Sequence, residues 1–294
     1  MTTFLPAEKG MTIRQPSTAN LMLDSADRDP LLFPSAANFS ITRNQALLNG
    51  FFTRIATAEV VFEYKNANLS TDLSNNWIDY DISGTVSGTL SGGFALTTNN
   101  YTVAEALEAV AERLSDISGN WSVAQAAGGA VIEAADPVYI NLSGALADLL
   151  GINTIVIQLV GGANPGIFCL HNKADLRPYR YLDFVSAQLT YNQDLKDAAT
   201  NTQNRDVLCR WYMAWDQPPP LDQFGFPIQM GYTPFTLRRL FNPPKQIRWD
   251  NIQSLGNLSF QVYTDQNVLA PFRDPTAMLL SDTNWLMTLQ VSEV

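Results

Sequence analysis

With 294 residues, 46% of them hydrophobic and only 16% charged, the chain carries enough apolar surface for one large or two modest packed bodies, which excludes disorder over most of its length. Its 18 Lys and Arg stand against 28 Asp and Glu, and the resulting net charge of −10 repels a phosphate backbone, so direct nucleic-acid binding is not expected. Two cysteines make no disulfide framework, and no stretch reaches the ~18 apolar residues of a membrane span.

The opening segment holds two Pro and a Gly without apolar periodicity, so residues 1–20 are expected to form an extended arm. No apolar core follows a basic start there, and a soluble product that bypasses ordinary secretion is expected. Apolar Leu21 to Leu23 then lead into Asp24, Asp27 and Arg28, followed by the Pro-bounded loop Asp29 to Pro34. A carboxylate and a guanidinium at a strand end can pin a loop through charge-assisted hydrogen bonds, so a structural clamp is expected. Asn38 to Arg43 alternates Phe39 and Ile41 with polar neighbours, and Ala58 to Tyr64 alternates Val60, Phe62 and Tyr64 with Glu59 and Glu63. Both patterns predict half-buried strands.

From Asn68 to Gly162 the pattern changes. Ile78 to Ile82 and Phe94 to Thr97 read as short strands. Tyr101 to Leu114 reads as a helix with Val103, Leu107, Val110 and Leu114 on one face, and Thr102 with Glu105 forms a capping box at its start. Trp121 to Ala124 and Val131 to Ala134 read as a hairpin turning at Gly128-Gly129. Asn141 to Leu150 reads as a second helix closed by Gly151, and Ile155 to Val160 as a strand before the flexible Gly161 to Gly166. Two strands, a helix, two strands, a helix and a strand do not fit an uninterrupted sandwich. An α+β module at 68–162, inserted in a loop of a β body, explains the order; a continuous two-layer α+β fold is the alternative.

Strand patterns return at Tyr181 to Tyr191 and at Val207 to Trp215, with polar Asn192 to Arg205 between them as an exposed loop. Cys209 alternates with Val207, Trp211 and Met213, which reads as a buried structural thiol. Gln217 to Pro234 is rich in Pro and Gly with Phe224, Phe226 and Tyr232 interleaved: a stiff connection whose aromatics must dock on their own body or on a neighbour. Lys245 to Asp250, Leu258 to Thr264 and Trp285 to Ser292 complete a set of roughly eight strands outside the module, counted from Leu21. The class is therefore mainly β. Sequons at Asn38, Asn68, Asn120, Asn141 and Asn257 are discounted, since no secretory signal accompanies them.

The order Asp24-Ser25-x-Asp27-Arg28, then Pro34-Ser35-x-x-Asn38-Phe39-Ser40-Ile41, then an apolar run from Phe51 to Phe62 leading into Tyr64 and Asn66, resembles the opening of single jelly-roll penton and minor capsid proteins. Those belong to large eukaryotic DNA viruses and their virophage and polinton-like relatives. Asn100-Tyr101-Thr102 before a helix, Leu149-Leu150-Gly151 after one, and Pro244-Lys245-Gln246-Ile247 before a late strand carry the resemblance along the chain. It implies a jelly roll, a two-sheet antiparallel sandwich, formed by 21–67 and 163–294, with the 68–162 module facing outward from the shell and the arm reaching a neighbour. It further implies a virion protein assembled inside the host cell, five copies forming the vertex capsomer. Its partners would be itself, the major capsid protein and other minor capsid or spike proteins. Asp24, Ser25, Asp27, Arg28, Asn38 and Phe39 are its structural signature. A jelly-roll minor capsid protein away from the vertex is the nearest variant; the length is too short for a double jelly-roll major capsid protein.

Residues suited to catalysis are sparse. His171 is the only histidine, no Gly-x-Ser-x-Gly elbow or phosphate-binding glycine loop occurs, and two distant cysteines supply no zinc site. No catalytic, cofactor or metal residue is assigned and no enzyme is expected. Asp79 with Asp81, or Asp136 with Asp148, could in principle form a glycosidase pair, but alternation on an exposed strand accounts for the first. A receptor- or glycan-binding β-sandwich is the rival class, with Trp77, Tyr80, Trp121 or the aromatics of 211–215 stacking on a ligand. Trp77 and Trp121, both in the module, are the candidate host-contact residues.

Overall fold

A computed structural model describes residues 18–42, 54–64, 67–71, 73–84, 89–152, 158–161, 166–190, 207–215, 217–230, 235–248, 256–270, 272 and 283–292. Among them stand sixteen strands and three α-helices, so the chain is mainly β, and every strand pairing is antiparallel.

The chain enters through β1 (Thr18–Asp24), a 3-10 turn (Ser25–Asp27), β2 (Asn38–Thr42) and β3 (Arg54–Tyr64). The strand β1 begins inside the expected arm, and the rest of that arm lies outside the described residues. The next segment comprises β4 (Trp77–Gly84), β5 (Thr89–Ala95), α1 (Val103–Ile117), β6 (Trp121–Ala126), β7 (Gly129–Ala134), β8 (Val138–Ser143), α2 (Ala145–Leu149), β9 (Gln158–Val160) and β10 (Ile167–Leu170). Then follow β11 (Tyr181–Val185), α3 (Ala187–Thr190), β12 (Val207–Tyr212), β13 (Phe235–Leu240), β14 (Gln246–Arg248), β15 (Asn257–Thr264) and β16 (Trp285–Ser292).

Two apolar cores organise these elements. The first lies between two sheets, one ordered β1-β16-β3-β13 with β14 on the remaining length of β3, the other ordered β12-β11-β15-β2. Strict alternation builds it: Trp285, Met287, Leu289 and Val291 of β16, and Leu258, Phe260 and Val262 of β15, point inward, each at most 1% exposed. Aromatic side chains join the sheets, with Phe62 5.1 Å from Trp211 and Phe184 5.1 Å from Trp285. Each such buried ring contributes roughly 2–3 kcal/mol of apolar transfer energy.

The second core is made by the sheets β5-β4-β8-β9 and β10-β7-β6 with α1 and α2. The capping box forms as expected: Thr102 Oγ1 accepts from the Glu105 N–H (3.1 Å) and Glu105 Oε2 from the Thr102 N–H (2.7 Å). Val103, Leu107, Val110 and Leu114 are buried on one face of α1.

Several expectations are corrected. Asn141 to Ser143 continue a strand, because Ile140 and Leu142 alternate inward along β8 against β4; the helix starts only at Ala145, after Gly144 at φ 97°. Packing of the second core does not stop at 162: β10 pairs with β7, and Ile167, Cys169, Ala174, Leu176 and the distant Phe226 join its interior. Tyr181 to Tyr191 is strand only to Val185, since the Ser186 carbonyl accepts from the Leu189 and Thr190 N–H groups and the Thr190 hydroxyl, closing a helical turn. The following strand ends at Tyr212 instead of Trp215. The strand β13 was not expected around Leu237-Arg238-Arg239; it pairs with the upper half of β3, where Arg238 bonds Glu59. The Pro-rich connection docks on its own chain through buried Phe226 and half-buried Phe224. The loop Asn192 to Arg205 lies outside the described residues.

Candidate functional site

The two sequence signatures converge at one end of the first core, on the residues that open the last strand. Asp24 caps the 3-10 turn by accepting from the Ala26 N–H (2.8 Å), which directs buried Ser25 inward and leaves Asp27 exposed. The Ser25 hydroxyl accepts from the Trp285 N–H at 2.8 Å. Arg28, only 6% exposed, donates from Nη1 to the Ser25 carbonyl (2.8 Å) and to Asn284 Oδ1 (3.0 Å), and from Nε to the Phe33 carbonyl (3.1 Å). The clamp therefore forms, with backbone carbonyls and an amide as these acceptors. One guanidinium fork ties turn, loop and final strand together.

The second signature meets the same strand from the other side. Ser35 accepts from the Ala37 N–H (3.1 Å), turning the chain so that the Ala36 carbonyl accepts the Trp285 indole N–H at 2.9 Å. Phe39 is buried with its ring 5.5 Å from Trp285 and 5.7 Å from Phe260, while Asn38 is exposed and registers opposite Gln261. Asp24, Ser25, Arg28 and Phe39 thus meet around Asn284 and Trp285, while Asp27 and Asn38 face solvent. Nothing local marks Asn284; only its distance from Arg28 reveals it. The clamped loop displays Leu31 at 92% and Leu32 at 72% exposure, an apolar tip held in place by the Arg28–Phe33 bond.

The crystal structure of the selenomethionine-labelled mavirus penton protein aligns with a TM-score of 0.52 at 13% identity, covering 96% of this chain and 100% of that chain. The chain shares the fold of the mavirus penton protein. A chain of the Sputnik virophage, from its 3.5 Å cryo-EM structure, aligns at a TM-score of 0.45 and 10% identity over 95% of this chain and 98% of that chain. No protein-family model matches the chain. No curated protein matches it either.

The remaining candidates separate. Trp77 is 46% exposed with its indole N–H on Asp79 (2.7 Å), whereas Trp121 is buried in the second core and donates to the Ser118 carbonyl, which corrects its reading as a contact residue. Trp211 is fully buried; Trp215 is exposed and donates to the Ile228 carbonyl. His171 Nε2 lies 3.0 Å from the Phe224 carbonyl and its ring stands edge-on to Phe226, a packing role that anchors the Pro-rich connection. Both thiols are free and buried, and burial pushes each up to about 12. A groove of 490 Å³ runs between Asp148, Lys173 and Asp265, and its Arg177 is already held bidentately by Asp175.

Proposed function

We propose that this chain is a structural capsid subunit: a single jelly roll carrying an α+β insert, which assembles as a pentamer at the five-fold vertex of an icosahedral virion. The observation that carries the reading is the strand order. If β13 and β14 count as one edge, the sheets contain positions 1-8-3-6 and 2-7-4-5 of the eight strands around the first core, the interleaving of a double Greek key. The fold shared with the mavirus penton protein over 96% of the chain supports it from an independent direction. The residues of the second core, 69–176 with Phe226 added, enter between β3 and β11, where an insert adds a body without altering the sandwich order.

A ring follows from heterologous contacts, one flank of each wedge meeting the opposite flank of the next. The exposed Leu31–Leu32 tip is an apolar element suited to such a flank. In this reading the segment before β1 reaches a neighbouring subunit, and the outer rim of the ring meets the major capsid protein and other minor or spike proteins. The acidic balance of −10 keeps the subunit off the genome. Native mass spectrometry of the purified full chain tests the assembly. A species of five times the 32.5 kDa chain mass is expected, and its weakening by Leu31→Ser with Leu32→Ser is expected too. A strictly monomeric chain at every concentration up to capsid-like crowding would count against the vertex assignment.

A further inference from the structure

We propose that the outward face of β4 and its neighbours is a binding site for a neutral saccharide, with Trp77 as its stacking platform. The register of the sheet puts Trp77, Asp79 and Asp81 on one face together with Gly93 of β5 and Asn141 and Ser143 of β8, while Ile78, Ile82, Ile140 and Leu142 bury the opposite face in the second core. Trp77 belongs to neither core. Trp77 is 46% exposed, with one face of its ring open to solvent.

Its orientation is built. A Cβ at Gly93 would lie 2.5 Å from Trp77 Cζ2 and 2.7 Å from Asp79 Oδ1, so the missing side chain at 93 lets the indole settle against the strand. Asp79 then fixes the ring through the 2.7 Å bond from its indole N–H. A platform locked from below and from its edge loses little entropy when a ligand stacks on it.

Chemistry around the platform selects the ligand. The C–H face of a pyranose carries partial positive charge and suits the negative face of an indole. Its hydroxyls are donors, and exposed Asp81, two residues and about 7 Å beyond Asp79 on the same face, offers carboxylate acceptors, with the hydroxyl of Ser143 opposite Asp79. The four strands of this sheet contain no Lys or Arg, so sialylated or sulfated glycans meet only negative charge here. A quaternary ammonium would want several aromatic walls close together, and the other exposed ring of this face, Tyr139, registers opposite Ser83, six residues along β4 from Trp77.

The full chain is titrated with methyl glucoside, methyl galactoside, methyl mannoside and N-acetylglucosamine, with sialyllactose and choline as contrasting probes, and read by saturation-transfer NMR. Saturable binding of at least one neutral sugar is expected, weakened about tenfold or more by Trp77→Ala and largely retained by Trp77→Phe. Asp81→Asn is the second probe, an isosteric exposed change that leaves the platform intact and is expected to weaken the same sugar several-fold. Absence of saturation by all four neutral sugars overturns the proposal. So does sugar binding that survives both Trp77→Ala and Asp81→Asn, or saturation by choline or sialyllactose in place of the neutral set. Sugar binding at this face is read whether the chain is monomeric or pentameric, so its outcome is separate from that of the vertex assignment.

Discussion

Replacing Arg28 by Ala removes the fork that joins the first turn to the last strand, and the loss can be worked from its contacts. The side chain is 6% exposed and makes hydrogen bonds of 2.8, 3.0 and 3.1 Å to Ser25, Asn284 and Phe33. Hydrogen bonds to a charged group are worth about 1.5–3 kcal/mol each, and taking a guanidinium out of water offsets part of their sum. The expected net loss is about 3–5 kcal/mol, which for a body of this size lowers Tm by roughly 6–20 °C. Urea unfolding followed by tryptophan emission measures it, since Trp285 sits in the same corner. Arg28→Lys retains the charge but not the planar fork, and about half of the loss is expected to remain. In a double-mutant cycle with Asn284→Ala the coupling is expected to reach about 1 kcal/mol or more. An Arg28→Ala chain within about 0.5 kcal/mol of wild type, or strict additivity with Asn284→Ala, would refute the clamp.

Gly129→Ala tests whether β10 belongs to the second core: a Cβ there would stand 2.0 Å from the Cys169 carbonyl oxygen. A loss of about 2 kcal/mol or more is expected, together with faster hydrogen exchange at Ile167 to Leu170; unchanged exchange would mean that β7 and β10 do not pair. The buried thiols predict alkaline sensitivity. Burial holds Cys169 and Cys209 protonated up to about 12, against 9.0 when free. Their contribution is complete below about pH 9 and falls as pH rises toward 12, by up to about 1.4 kcal/mol per pH unit for each thiol. Unfolding free energies across that window should fall less steeply in a Cys169→Ala, Cys209→Ala chain. An identical slope in both proteins would contradict the assignment.

Alternation was readable wherever one strand face is dry and the other wet. Phe39 and Ile41, Leu258 to Val262, and Trp285 to Val291 needed no partner to announce themselves, because every second residue must be apolar to cover the core. The capping box of α1 was equally legible, being a bond between residues three apart. Asn141 to Leu150 misled because Leu142, Leu146 and Leu149 satisfy a helical spacing, and only pairing of β8 with β4 decides for the strand. The edge strand β13 hid behind its charges, Arg238 and Arg239, which a sheet border tolerates and a central strand does not. At the corner site, the resemblance pointed to Asp24, Ser25, Arg28 and Phe39, and alternation marked Phe39 as well, but nothing pointed to Asn284. Trp121 looked like Trp77 in sequence, yet one is buried beneath α1 and the other rests on a glycine.

By itself the sequence determined the class, the faces of the long strands and the start of α1, since each depends on neighbours within a few positions. Tertiary structure alone decided that Arg28 meets Asn284 across 256 positions, that Phe226 leaves its own segment for the second core, and that Trp77 lies open on its sheet. The physical reason is that a hydrogen bond or a packed ring is satisfied by whatever group arrives, and which group arrives is set by how the two sheets close on each other.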